Sequence, residues 1–80
     1  MIVTVKLPKV GEMTEDAEIV EWLCQPGESV TEGQPLVSVD TDKVVVDLPS
    51  PVPGVVLAIL ADVGAVVEVG DPLVRLEVRS

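Results

Sequence analysis

The chain has no histidine, no tyrosine and no phenylalanine, and it has one cysteine and one tryptophan. A single thiol, Cys24, cannot form an internal disulfide. Without histidine or a second thiol, a histidine- or thiolate-based metal centre is excluded. Positive charge is also scarce, with five lysines and arginines against fourteen acidic residues and a net charge of −9. Such a surface repels polyanions, so neither nucleic acid nor an anionic membrane is an expected partner. No apolar run reaches the roughly 20 residues that a transmembrane helix needs. The opening Met1-Ile2-Val3-Thr4-Val5-Lys6 lacks the basic region of a secretion signal. A soluble, intracellular protein is expected, in bacterial cytoplasm or, for a eukaryote, in the mitochondrial matrix.

What is abundant is valine, with seven prolines and six glycines. This is the vocabulary of strands and turns. Eighty residues suit one small domain, 1–80, with a thin core. Its halves, about 1–40 and 41–80, resemble each other. Residues 26–39 match 63–76 at a constant offset, which brings Gly27, Gly33, Pro35 and Leu36 onto Gly64, Gly70, Pro72 and Leu73. Further upstream, Val3 to Pro8 is matched to Val44 to Pro49, which leaves about four extra residues within 9–16 of the first half. The repeat also decides an ambiguous stretch. Residues 15–23 have helical periodicity, but their counterpart 53–60 is β-branched and follows a turn, so 17–24 is read as a strand. Strands are predicted at 2–7, 17–24, 36–40, 44–48, 54–60 and 73–78, with short ones near 29–30 and 66–67. The predicted fold is all-β, a flattened barrel or sandwich of two small antiparallel sheets with internal pseudo-twofold symmetry.

Lys43 stands at the sharpest bend, between two valine-rich runs. With Asp42-Lys43 as the centre of a hairpin, residue 41 faces 44. Asp40 then pairs with Val45, Val39 with Val46, Ser38 with Asp47 and Val37 with Leu48. The period of two puts the apolar pairs on one face and the polar pairs on the other. The pseudo-twofold equates this hairpin with the pairing of the last strand and the first, so Lys43 is predicted at the end of the domain away from both termini. A lysine there stabilises little but is well presented to another protein. Its flexible stem ends in an amine that can be acylated. Asp40 and Asp42 favour the charged ammonium, so an enzyme must activate it.

Three segments together resemble a lipoyl domain of the dihydrolipoyl acyltransferase (E2) component of a 2-oxo acid dehydrogenase complex. They are residues 6–12, residues 18–22 and Val39-Asp40-Thr41-Asp42-Lys43-Val44-Val45-Val46-Asp47, supported by the repeated glycines and by Gly70-Asp71-Pro72-Leu73. The resemblance covers essentially the whole chain. It implies a barrel-sandwich hybrid fold and a swinging-arm carrier in which Lys43 holds lipoic acid through an amide. It further implies partners: the thiamine-dependent decarboxylase (E1), the E2 acyltransferase core, dihydrolipoamide dehydrogenase (E3) and a lipoate-attaching enzyme. The domain itself is expected to be monomeric and to have no catalytic residue. Glu12, Met13 and Glu15, in the segment absent from the second half, are recognition candidates for E1; a tolerated surface insertion is the other reading. Asp40, Asp42 and Asp47 either guide partner enzymes or discourage edge pairing.

Rival classes are a biotinyl carrier domain and an unmodified structural hybrid domain. A biotinyl lysine is usually flanked by methionines, whereas Lys43 has Asp42 and Val44. A free-standing enzyme would need a pocket and an acid–base pair that this composition does not offer. Cys24, aligned with Ala61, is read as a small packing residue, and Trp22, aligned with Ile59, as part of the core or its border.

Overall fold

Alternating apolar and polar residues produce eight strands in the computed structural model, which describes residues 1–9, 16–41 and 44–78. They are β1 (Ile2–Lys6), β2 (Asp16–Trp22), β3 (Ser29–Val30), β4 (Pro35–Asp40), β5 (Val45–Pro49), β6 (Gly54–Ile59), β7 (Val66–Glu68) and β8 (Pro72–Glu77). They form two four-stranded sheets, ordered β1-β8-β6-β3 and β5-β4-β2-β7, with antiparallel pairing throughout. Among the described residues there is no helix, and where the repeat predicted a strand at 17–24 the chain is a strand over 16–22.

Exchanging β1 with β5, β2 with β6, β3 with β7 and β4 with β8 turns one sheet order into the other. The pseudo-twofold reaches individual hydrogen bonds. Leu23 N donates to Leu36 O at 2.8 Å, and Leu60 N to Leu73 O at 2.8 Å. Gly27 N donates to Val56 O at 2.7 Å, and Gly64 N to Ile19 O at 2.8 Å. Both glycines have a φ near +90°, which residues with a Cβ rarely adopt. Even the irregularities repeat: β2 bulges between Ile19 and Glu21, and β6 between Val56 and Ala58.

One expected alignment is corrected. Val3 pairs with Leu76, and Val46 with Val39, so Val3 is equivalent to Val46 and not to Val44. The bonds Gly70 N to Leu7 O (2.9 Å) and Gly33 N to Ser50 O (2.8 Å) agree, equating Leu7 with Ser50. The offset is thus 43 here and 37 elsewhere, a difference of six extra residues in the first half instead of four. A slide of two residues preserves which side chains face inward, so the sequence pattern tolerates both alignments. Asp16, expected in the extra segment, instead begins β2 and pairs with Glu68; residues 10–15 lie outside the described residues.

Each sheet turns one apolar face inward. The twin residues Leu36 and Leu73, Val37 and Val74, Val39 and Leu76, and Ile19 and Val56 are all buried. Complete burial of such a side chain contributes about 1.5–3 kcal/mol. Trp22 is half-buried at the border of this core, and its Nε1–H donates to Ala61 O at 2.7 Å. The twofold is imperfect where β6 approaches β8. A Cβ on Gly54 would lie 2.5 Å from Glu77 O, whereas the equivalent Ala17 already has its methyl group buried.

Candidate functional site: the β4–β5 hairpin

The hairpin register matches the one expected from periodicity: Asp40 with Val45, Val39 with Val46, Ser38 with Asp47 and Val37 with Leu48. Val37, Val39 and Leu48 anchor it in the core, and Val46 is partly buried against them. On the outer face, Ser38 Oγ donates to Asp47 Oδ1 at 2.6 Å. One oxygen of Asp47 is therefore engaged within the hairpin, although the residue remains exposed.

At the tip, Thr41 N donates to Val44 O at 2.9 Å. The Thr41 hydroxyl also donates to Val44 O at 2.8 Å and accepts from Val44 N at 3.1 Å. Thr41 is 8% exposed, whereas Val44 and Val45 are 56% and 59% exposed. The last described residue of one strand arm is thus fixed to the first of the other, and only residues 42 and 43 separate them in the chain.

Pairing within this sheet sets further acidic groups beside the tip. Glu18 lies opposite both Asp40 and Val66, so Val45, Asp40, Glu18 and Val66 form one outward row. Asp16, Glu18 and Asp40 line a depression with Ala17, Thr41 and Val66. Among the described residues, no three acidic or thiol side chains are grouped closely enough to hold a metal ion. Cys24 is buried on the core side, where desolvation and then the nearby Glu28 charge push its thiol pKa up, which is unsuited to a nucleophile.

Of the residues singled out from the sequence, Asp40 is exposed at the end of β4 and Asp47 lies on β5. Lys43, Asp42, Glu12, Met13 and Glu15 lie outside the described residues. Sequence reasoning missed Thr41, Asp16 and Glu18. For the two acids the available signal was the pseudo-twofold itself, which requires β2 to lie beside β4. For Thr41 it was a hydroxyl residue at the closing pair of a hairpin.

Comparison with known proteins agrees with this arrangement. A biotin/lipoyl family model, described as biotin-requiring enzyme, matches residues 3–76. The chain is 49% identical over 76 residues to the lipoamide acyltransferase component of the branched-chain alpha-keto acid dehydrogenase complex of Pseudomonas aeruginosa, covering 95% of this chain and 18% of that one. It is 45% identical over 76 residues to the dihydrolipoyllysine-residue acetyltransferase component of the pyruvate dehydrogenase complex of Mycobacterium tuberculosis, covering 95% and 14%. The chain therefore spans under a fifth of the length of these curated relatives. Among solved structures, the lipoyl domain of the 2-oxoglutarate dehydrogenase complex of Azotobacter vinelandii superposes with a TM-score of 0.75 at 31% identity, covering 94% and 95%. A single-chain, multi-domain long-chain acyl-CoA carboxylase shares the fold, with a TM-score of 0.80 at 22% identity over 99% of this chain and 7% of that one. With a family model along most of its length and close relatives over the same span, this chain belongs to the biotin/lipoyl domain family.

Proposed function

We propose that this chain is a carrier domain, modified with lipoic acid on Lys43, that moves acyl groups and reducing equivalents among the enzymes of a 2-oxo acid dehydrogenase complex. The observation that supports it most is the closed hairpin. Backbone and side-chain bonds join Thr41 to Val44, and the two residues between them are an aspartate and the lysine. The names of the relatives favour lipoic acid over biotin.

The surroundings suit a tethered group better than an enclosed one. Val44 and Val45 are exposed, and the neighbouring depression is lined by carboxylates. Lys43 Nζ would hold the group through an amide, which removes the lysine's charge and takes the net charge from −9 to −10. When bound, a lipoyl group supplies a strained disulfide that can accept an acyl group and be reduced. The domain's own residues need supply neither acid nor base. Thr41 and Val44 hold the two ends of the tip. Asp40, Asp42 and Asp47, with Glu12, Met13 and Glu15, are the proposed recognition residues. The negative charge of the five acidic ones suits basic faces on E1, the E2 acyltransferase core, E3 and the lipoate-attaching enzyme. Tethering would raise the effective concentration of the carrier at each of these sites. The location that goes with this reading is the bacterial cytoplasm or, for a eukaryote, the mitochondrial matrix.

The test is intact-mass and peptide mass spectrometry after incubation with a lipoate ligase and, separately, a biotin ligase. One lipoyl adduct on Lys43 is expected, absent from a folded Lys43→Arg variant. Biotin on Lys43, or no adduct from either ligase, would overturn the proposal.

A further inference from the structure

The hairpin tip and the meeting point of the chain ends are pseudo-symmetry mates. Thr41 N donates to Val44 O at 2.9 Å, and Val78 N to Met1 O at 2.8 Å. Threonine 41 is equivalent to Val78, and Val44 to Met1. The backbone bond recurs in both places, so it belongs to the fold. The hydroxyl bonds do not recur. Thr41 Oγ1 both donates to Val44 O and accepts from Val44 N, and valine at position 78 can do neither. At the other end the Met1 ammonium also donates to Val78 O, at a long 3.4 Å.

From this difference we infer that Thr41 is a positioning residue for modification of Lys43: its buried hydroxyl ties together Thr41 and Val44, the described residues on either side, so that the attaching enzyme meets these two flanks already held. The inference rests on the proposed lipoylation of Lys43. Three hydrogen bonds join the same two residues, and they are shielded because Thr41 is 8% exposed. Two arms fixed this closely leave residues 42 and 43 a short span to bridge. An attaching enzyme that must place one amine then spends less of its binding energy on ordering the turn. That advantage falls on binding and not on the chemical step, so it is read in KM.

The experiment compares wild type, Thr41→Val and Thr41→Ser as substrates of a lipoate ligase. Thr41→Val keeps the shape and removes the hydroxyl; Thr41→Ser keeps the hydroxyl. For Thr41→Val we expect KM to rise about five- to tenfold, the scale of one net hydrogen bond, with kcat within about twofold. Thr41→Ser should stay near wild type. Amide hydrogen exchange gives a readout independent of modification: exchange at Val44 should quicken in Thr41→Val and return in Thr41→Ser, while Val39 and Leu48 stay protected. An unchanged KM in Thr41→Val, with wild type lipoylated on Lys43, would overturn the clamp and leave the carrier function standing. Loss of the whole fold in Thr41→Val would also overturn it, because the hydroxyl would then serve the domain and not the turn. A wild-type chain that takes no lipoyl group would overturn both.

Discussion

The two pseudo-symmetric ends of this domain share a backbone and differ in chemistry. At one end β4 and β5 close through Thr41 and Val44; at the other β8 and β1 close through Val78 and Met1. The depression beside the first is lined by Asp16, Glu18 and Asp40. Its mate beside the second is lined by Ser29, Val30, Pro53, Gly54 and Val55. The same difference runs across the outer faces. Glu18, Glu21, Asp40 and Asp47 lie on one sheet, where the equivalent positions on the other are Val55, Ala58, Glu77 and Thr4. The backbone therefore tolerates either surface. Three of these four acidic groups and the hydroxyl clamp are written into one copy only, so they answer to what that end does and not to what the fold requires.

Substitutions at equivalent positions can break or sharpen this contrast. The largest effect is expected where the backbone itself departs from symmetry. Gly54→Ala places a methyl 2.5 Å from Glu77 O, so it should destabilise by about 1–3 kcal/mol in urea unfolding. The reciprocal Ala17→Gly should cost only about 0.5–1 kcal/mol. Equal costs at the two sites would mean that the strands adjust freely and that the asymmetry is superficial.

A smaller effect is expected on the outer face. Ser38→Ala removes the 2.6 Å bond to Asp47 and should cost about 1 kcal/mol or less, since the exposed carboxylate regains water. If the Ser38–Asp47 pair serves only the hairpin, this variant should be lipoylated at the wild-type rate. A slower rate would make Asp47's orientation part of recognition.

The smallest effect concerns Cys24, whose mate is alanine. Cys24→Ala should be tolerated within about 1 kcal/mol at neutral pH. The native thiol pKa is raised above its ordinary value of 9.0 by burial and then by Glu28. The folded state therefore holds the proton more tightly than the unfolded chain does. Its contribution is fully present below about pH 9 and is lost as pH rises through the folded pKa. Denaturation curves across this alkaline range should decline more steeply for wild type than for Cys24→Ala; parallel curves would show that the thiol is not desolvated in the way described.

Much of this fold was legible because the inward pattern alternates so cleanly. The pairing of Val39 with Val46 and of Val37 with Leu48 follows from the period of two alone, and the strand at 16–22 follows from its β-branched mate. The same period explains the alignment that was misjudged. A two-residue slide leaves every side chain on its own face, so the two are distinguished by the strand registers and the hydrogen bonds of Leu7 and Ser50, not by the pattern. The site was legible in part. A lysine between valine runs stands out along the chain, but Glu18 reaches Asp40 only through sheet pairing, 22 positions away in sequence. The Thr41 hydroxyl was hidden for another reason: threonine is ordinary in strands, and its role emerges only against the valine at its mate.

The bond from Val78 N to Met1 O has a topological consequence. Traced through that contact, the chain is nearly a closed loop with two interchangeable openings. One lies between Thr41 and Val44, and the other between Val78 and Met1. Sealing Met1 to Val78 with a short linker and opening the loop beside Thr41 would thread the same eight strands through the same two sheets. In that rearranged molecule the new ends would sit beside Thr41 and Val44, and a lysine built into the new linker would stand between Val78 and Met1, the symmetry mates of the residues that flank Lys43.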